Sequence, residues 1–318
     1  MAKHRLLQNV RLLPALEARL AAEYELHRLT DEAEPKAFLA ARGSEFVGIV
    51  SSAAIGVDAA LIAALPNLRV ISSFGVGLDK LDLAAAQQRG IAVGYTPDVL
   101  NDCVADLAFG LMLDVARGIS AGDRFVRRGN WNSGTPAAPK FPLGRKVSGA
   151  KLGVVGLGRI GRTIAKRAIG FEMDVRYHSR RPVEGAEWPH EPSLLALARW
   201  ADYLIIITAG GAATRHLIDT EVLDALGRDG FIINVARGSV IDEAALVRAL
   251  VENRIAGAGL DVFQNEPNVP TALMALDNVV LLPHIASGTV ETRQAMAYRV
   301  FDNLQGFFKD GRLLSSAL

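Results

Sequence analysis

At 318 residues the chain is long enough for two domains, each with a core of its own. Half of it is hydrophobic and the formal net charge is +1, which excludes the basic excess of a nucleic-acid binder and the charge block of a solvated tail. The single cysteine, Cys103, excludes an internal disulfide and a cysteine-cluster metal site; no apolar run approaches a membrane span, and the expected setting is the reducing cytoplasm.

Residues 1–29 mix Arg and Leu with Glu17, Glu23 and Glu25. Transit leaders are poor in acids, so this stretch is expected to fold, as a short strand, a helix near 15–22 and a strand near 24–29. Strand candidates at 46–50, 69–72 and 91–93 then alternate with helical stretches at 35–41, 59–64 and 81–89. That alternation predicts a parallel sheet covered by helices. Such sheets present ligand groups at the carboxyl ends of their strands. Two turns fall there, Ser51-Ser52-Ala53 and Ser73-Phe74-Gly75-Val76-Gly77-Leu78-Asp79. The glycines of the second let its amides curl around a small anion such as a carboxylate. A plain glycine-rich turn is the competing reading.

Val104, Leu107, Ala108, Leu111, Met112 and Val115 recur at helical spacing, predicting one long buried helix over 101–119 that Asn101 or Asp102 caps. Residues 129–148, with Asn130-Trp131-Asn132-Ser133-Gly134 and three prolines, read as a linker or interaction arm.

The second half is organised around residues 151–181, KLGVVGLGRIGRTIAKRAIGFEMDVRYHSRR. An apolar strand leads into Gly156, Gly158 and Gly161 in G-x-G-x-x-G spacing, then a helix, then a second strand over 174–178. Gly156 makes the tight turn, Gly158 admits a pyrophosphate to the backbone, and Gly161 brings the helix onto the strand. The phosphate charge meets the helix amides and dipole. Where NAD-selective sites end the second strand in Asp or Glu, this chain has Ser179, Arg180 and Arg181. A hydroxyl and two guanidiniums suit a 2′-phosphate, so NADP is the expected cofactor and NAD the less favoured one. A solvated Arg pair is the bland alternative.

Strands at 203–207, 231–234, 257–261 and 279–282, with helices at 193–200, 221–227 and 242–252, complete a second doubly wound sheet. A helix over 290–309 lies outside it and is expected to return to the first domain. Three charged residues follow late strands: Arg237 in NVARG, Glu266 in DVFQNEP and His284 in LLPH. Singly they read as a surface charge, a loop acid and a partly buried histidine. Together they supply what reduction of a 2-oxo acid needs. A guanidinium grips the carboxylate and polarises the carbonyl. An imidazolium donates a proton as hydride arrives. A carboxylate beside it fixes its orientation and favours its charged form.

These residues, with the segments GLGRIG, NVARGSVIDE, GLDVFQNEP and LLPHIAS in order, resemble the D-isomer-specific 2-hydroxyacid dehydrogenase family over nearly the whole chain. The resemblance implies two doubly wound α/β domains, a flavodoxin-like substrate domain (1–100 and 290–318) and a Rossmann cofactor domain (101–289). It implies closure over a cleft and pairing of two copies through the cofactor domain, with 129–148 in that contact. It makes Arg237, Glu266 and His284 catalytic. It implies cofactor contacts from Gly156, Gly158, Arg159, Ile160, Gly161, Ser179, Arg180, Arg181, Thr208, Val235 and Ala236, and from Asp261 near the nicotinamide carboxamide. Substrate contacts fall to Ser52, to the Val76 and Gly77 amides, and to Arg237 and His284. No metal is implied.

Within the family, TPDVLNDCVADLAFGL and the SRR ending most resemble NADP-dependent glyoxylate/hydroxypyruvate and hydroxyphenylpyruvate reductases. Phosphoglycerate and D-lactate dehydrogenases keep the acid that Ser179 replaces, and formate dehydrogenases pair the histidine with Gln. Residues 208–214, Thr-Ala-Gly-Gly-Ala-Ala-Thr, depart from the Pro-containing loop of many relatives. Phe74, Leu78 and Trp131 are candidates for an apolar substrate pocket. Two alternatives stay open: an NAD-dependent enzyme of other specificity, and a cofactor-sensing binding module on the same fold.

Overall fold

The computed structural model describes residues 3–131 and 140–318, with eleven strands among them arranged in two wholly parallel sheets. The chain divides into two compact units. One runs to Leu100 and resumes at Thr289–Leu318, and the other is Asn101–Gly288.

In the first unit, β1 (Arg5–Gln8), β2 (Glu25–Arg28), β3 (Gly48–Ser52), β4 (Val70–Phe74) and β5 (Ala92–Gly94) lie in the order β2-β1-β3-β4-β5. The winding direction switches between β1 and β3, the flavodoxin-like arrangement. β3 and β4 are buried at every position, as strands covered on both faces must be. Leu7, Ile49, Ile71 and Val93 pack with Phe46, Ile62 and Leu65 in the core. Each such buried aliphatic side chain contributes about 1.5–3 kcal/mol. The helix Val290–Asp310 completes this unit from the far end of the chain. Ser72 Oγ, on β4, donates to the Val300 carbonyl at 3.0 Å. The fully buried Asn303 donates to the Tyr95 carbonyl at 3.1 Å and accepts from the Ser315 amide at 2.8 Å.

In the second unit, β6 (Lys151–Val155), β7 (Asp174–His178), β8 (Tyr203–Ile206), β9 (Phe231–Asn234), β10 (Gly257–Leu260) and β11 (Val279–Leu281) lie in the order β11-β10-β9-β8-β6-β7. The winding switches between β6 and β8, which sets their carboxyl ends as the ligand position. Beyond β7 a further strand is reduced to one parallel bridge, Tyr177 to His190. Pro189 and Pro192 flank that bridge, and neither has an N–H to extend a ladder. Three helices of this unit start on side-chain caps. Ser193 accepts from the Ala196 amide at 3.2 Å, and Asp219 and Asp242 from Val222 and Ala245 at 3.0 Å each. Each cap stabilises its helix by about 1 kcal/mol.

The helix expected over about 101–119 is observed two residues shorter. Asn101–Arg117 ends at Gly118, whose φ of +63° is a left-handed value that glycine tolerates, and a second helix occupies Ile119–Arg127. Asn101 is the first helical residue rather than a cap, and the Asp102 carboxylate accepts from Arg167 at 3.1 Å instead. The arm expected over 129–148 falls partly on residues 132–139, which lie outside the described residues. Among the described residues no helix is long and apolar enough to cross a membrane.

Candidate functional site

The three glycines after β6 meet different surroundings. Gly156 has φ +103° and donates to the His178 carbonyl at 2.9 Å; a Cβ there would lie 2.9 Å from the Thr208 backbone. At Gly161 a Cβ would sit 2.1 Å from the Gly156 carbonyl oxygen. Side chains at these two positions would push the turn, the helix and β8 apart. Gly158 is unlike both: it precedes the helix Arg159–Ile169, and a Cβ there would meet nothing within 4 Å. The first intrahelical bond runs from Arg162 N to Gly158 O at 2.9 Å, so the Ile160 and Gly161 amides have no carbonyl acceptor among the described residues. Open space beside unsatisfied amides at a helix N-terminus is what a pyrophosphate requires.

Beyond β7 the chain turns back at Ser179, whose Oγ donates to the Arg181 carbonyl at 2.6 Å. The Ser179 carbonyl lies 2.9 Å from His190 Nε2. The guanidiniums of Arg180 and Arg181 are exposed and make no ion pair or hydrogen bond among the described residues. Residues 208–214, the departure from the relatives' loop, end in a short 3-10 turn over Ala212–Thr214, and Thr214 Oγ1 donates to the Ala209 carbonyl at 2.7 Å.

The carboxyl ends of β9, β10 and β11 carry the charged residues. After β9, buried Asn234 fixes the turn: its Nδ2 donates to the Arg237 carbonyl and its Oδ1 accepts from the Ala236 amide, both at 3.0 Å. Val235 and Ala236 are buried in that turn, and the Arg237 guanidinium donates to the Ala236 carbonyl at 2.8 Å. At Gly238 a Cβ would lie 1.9 Å from the Phe263 carbonyl carbon. The Arg237 turn thus rests directly on the backbone that leads to Glu266.

Glu266 divides its carboxylate between two donors. Oε1 accepts from the Phe263 amide at 3.1 Å, and Oε2 lies 2.7 Å from His284 Nδ1. Burial pushes this carboxyl up, but the bond and charge of His284, the Phe263 amide and the Arg237 charge outweigh it and leave it below the usual range. His284 itself has φ +54°, a left-handed backbone uncommon among non-glycine residues, though His adopts it more readily than most. The backbone just after it is held by Asp261, fully buried at the end of β10. Its Oδ1 accepts from the Ile285 amide at 2.7 Å and its Oδ2 from Ala286 at 2.8 Å. Burial raises the Asp261 carboxyl above its ordinary value, and the two amides act against that rise. Cys103 adds a third tie, its Sγ lying 2.9 Å from the Ala286 carbonyl oxygen. Among the described residues no cluster of His, Cys, Asp or Glu is suited to a metal ion.

In the first unit the turn after β4 is fixed through Gly75, with φ +133°. Its amide donates to Thr96 Oγ1 and its carbonyl accepts from the Thr96 amide, both at 3.0 Å. The partly exposed Val76 and Gly77 amides have no acceptor among the described residues. Ser52 is buried and its carbonyl accepts from the Gly56 amide at 2.8 Å. Phe74 is buried and Leu78 packs on this unit's core, whereas Trp131, in the other unit, is 80% exposed.

Arg237, Glu266, His284 and Asp261 therefore come together, although they span 48 positions of sequence. Sequence reasoning missed Asn234 and the backbone-holding work of Asp261, since each acts on a turn that only the fold brings to it. Gly238 stood inside the quoted NVARGSVIDE segment, but nothing local to it marked the close approach to the Phe263 backbone.

The family profile described as D-isomer specific 2-hydroxyacid dehydrogenase, NAD binding domain, matches residues 109–286. The chain is 45% identical over 300 residues to the glyoxylate/hydroxypyruvate reductase A of Arabidopsis thaliana, covering 94% of each. It is 46% identical over 307 residues to the 2-ketogluconate reductase of Gluconobacter oxydans, covering 96% of each. A crystal structure of the NADPH-dependent glyoxylate/hydroxypyruvate reductase of Sinorhizobium meliloti, in complex with NADP and malonate, superposes with a TM-score of 0.92 at 42% identity, covering 99% of this chain and 97% of that one. With more than half its length inside the family profile and relatives of this similarity along nearly all of it, the chain belongs to the D-isomer specific 2-hydroxyacid dehydrogenase family.

Proposed function

We propose that this protein reduces small 2-oxo acids to D-2-hydroxy acids, with NADPH preferred over NADH. The observation that carries the reading is the 2.7 Å contact of His284 Nδ1 with Glu266 Oε2, beside the Arg237 turn seated on the Phe263 backbone. With Nδ1 engaged, Nε2 is left to hold the proton that a ketone oxygen takes as it becomes a hydroxyl. Glu266 orients the ring and offsets its charge, as a carboxylate does for a catalytic imidazole. The Arg237 fork suits a substrate carboxylate and polarises the adjoining carbonyl. Ser52 and the Val76 and Gly77 amides are assigned to the carboxylate as well, an assignment supported by the two amides' lack of protein acceptors.

The residues present fit a dinucleotide. The open space at Gly158 and the Ile160 and Gly161 amides suit its pyrophosphate, with Arg159 and Thr208 flanking, and Val235, Ala236 and Asp261 are assigned to its nicotinamide end. Ser179, Arg180 and Arg181 suit a 2′-phosphate, and the NADP bound to the Sinorhizobium meliloti relative supports the same choice. When bound, NADPH supplies the hydride to the carbonyl carbon.

A homodimer and a cytoplasmic setting belong to the same reading. Ile119, Val126, Trp131 and Leu143 are large apolar residues at least half exposed on and after the helix Ile119–Arg127, a surface suited to a second copy, and Cys103 is a free thiol. Glyoxylate, hydroxypyruvate and phenylpyruvate are the substrates proposed, and the Gluconobacter oxydans relative adds 2-ketogluconate to the range worth testing. Steady-state rates with NADPH and NADH against these four acids test the reading. Turnover with NADPH favoured supports it; turnover with NADH favoured retains the catalytic residues and overturns the cofactor. Tight nucleotide binding without turnover on any of them overturns the enzyme.

A further inference from the structure

The segment between Ser179 and Gly185 faces solvent, and solvent-facing loops lose order unless something ties them. Here it is tied from both sides. Arg162, one turn into the helix Arg159–Ile169, reaches across to it. Its Nη2 donates to the Glu184 carbonyl at 2.6 Å and its Nη1 to the Gly185 carbonyl at 3.0 Å. From β7, the hydroxyl of Tyr177, whose ring is 2% exposed, accepts from the Val183 amide at 2.9 Å. Gly185 has φ +63°, which lets the loop turn its carbonyl towards the guanidinium.

Two features of Arg162 stand out. Its charge is spent on two backbone carbonyls, which neutralise nothing; among the described residues it has no carboxylate partner. Its own amide makes the first bond of the helix whose N-terminus is assigned to the pyrophosphate. One side chain thus joins the pyrophosphate helix to the loop that carries the 2′-phosphate groups. We infer that Arg162 is a positioning residue for cofactor choice: without touching the cofactor, it sets the separation between the pyrophosphate turn and Ser179–Arg181, and so the preference for a 2′-phosphate over a 2′-hydroxyl. The inference rests on the NADPH reading given above.

A fork to two carbonyls needs both its nitrogens, so the charge alone does not replace it. The test measures kcat/KM for NADPH and for NADH in the wild type, R162A and R162K. R162A should lower the NADPH value about tenfold and the NADH value by less than about threefold, because only the 2′-phosphate contacts depend on the loop. R162K should resemble R162A. A merely structural role would lower both cofactors together, so an unchanged ratio in R162A overturns the inference. An R162K that keeps the wild-type ratio also overturns it, since charge rather than position would then be acting. A wild type with no NADPH preference overturns the cofactor reading and this inference with it, an outcome separate from a preference that survives in R162A.

Discussion

The two ends of the second unit's sheet are built on opposite plans. At the carboxyl ends of β9, β10 and β11, the side chains that build the site have protein partners: Asn234 holds the Arg237 turn, Asp261 holds two amides after His284, and Glu266 holds His284 itself. At the carboxyl ends of β6 and β7, groups are left open: the Ile160 and Gly161 amides, the space at Gly158, and the Arg180 and Arg181 guanidiniums. The difference follows from what each end handles. A proton donor has to stand at one place before the substrate arrives, so the protein fills its coordination in advance. A binding surface draws its affinity from donors that only the ligand satisfies. Substitutions at the filled end should therefore damage structure and turnover, whereas removal of the unpartnered side chains at the open end should change affinity alone.

The largest effect expected is Gly238→Ala. The added Cβ would overlap the Phe263 carbonyl carbon, and backbone cannot move aside as a flexible side chain can. Overpacking of this kind costs about 1–3 kcal/mol or more, and here it separates the Arg237 turn from the Glu266 backbone. Thermal unfolding should shift down by several degrees or more and turnover should be lost; a variant with wild-type Tm and rate would remove the close contact from the account. His284→Ala comes next. Loss of a general acid lowers kcat about a hundredfold or more. Cofactor affinity by fluorescence titration should stay near the wild-type value, and full residual turnover would show that the proton comes from elsewhere.

Glu266→Gln sharpens the comparison through pH. The Glu266 carboxyl lies below its ordinary value of 4.5 in the folded protein, because the His284 bond and charge, the Phe263 amide and the Arg237 charge outweigh its burial. The unfolded chain therefore takes up this proton first on acidification. The stability Glu266 contributes is full above 4.5 and is lost as pH falls through the lower folded value. Wild-type Tm should drop between about pH 5 and pH 3 more steeply than that of Glu266→Gln. At neutral pH the variant should lose about tenfold to a hundredfold in kcat, as orientation of the imidazole weakens. Parallel acid slopes in the two proteins would detach Glu266 from His284.

The filled end and the open end were also unequally legible in the sequence. The glycine turn could be read because its requirements are local: a buried strand, three glycines at fixed spacing and a helix all lie within residues 151–169. Both sheets could be read because apolar runs and helical stretches alternate. The ties that make the filled end rigid could not. Asp261 meets Ile285 and Ala286 across 24 and 25 positions, and Gly238 meets Phe263 only because β9 and β10 are neighbours. The second helix, Ile119–Arg127, was hidden for another reason: a single glycine such as Gly118 does not by itself show whether a new helix starts beyond it. The missing strand beyond β7 was signalled by Pro189 and Pro192, yet the one bridge that remains depends on His190 reaching Tyr177.

Arg180→Ala is the smallest effect and the one that reads the open end. The side chain is exposed and without an ion-pair partner among the described residues, so its removal leaves no buried charge and no broken network. Tm should be unchanged within error. A guanidinium meeting a phosphate forms a charge-assisted bond worth about 1.5–3 kcal/mol, so KM for NADPH should rise about tenfold or more while KM for NADH moves by less than about twofold. Because the contact is solvent-exposed, the difference between the two cofactors should narrow as salt is raised. A rise in both KM values together would mean that Arg180 supports the fold of the turn rather than the phosphate. The open end would then be governed by the same rule as the filled one.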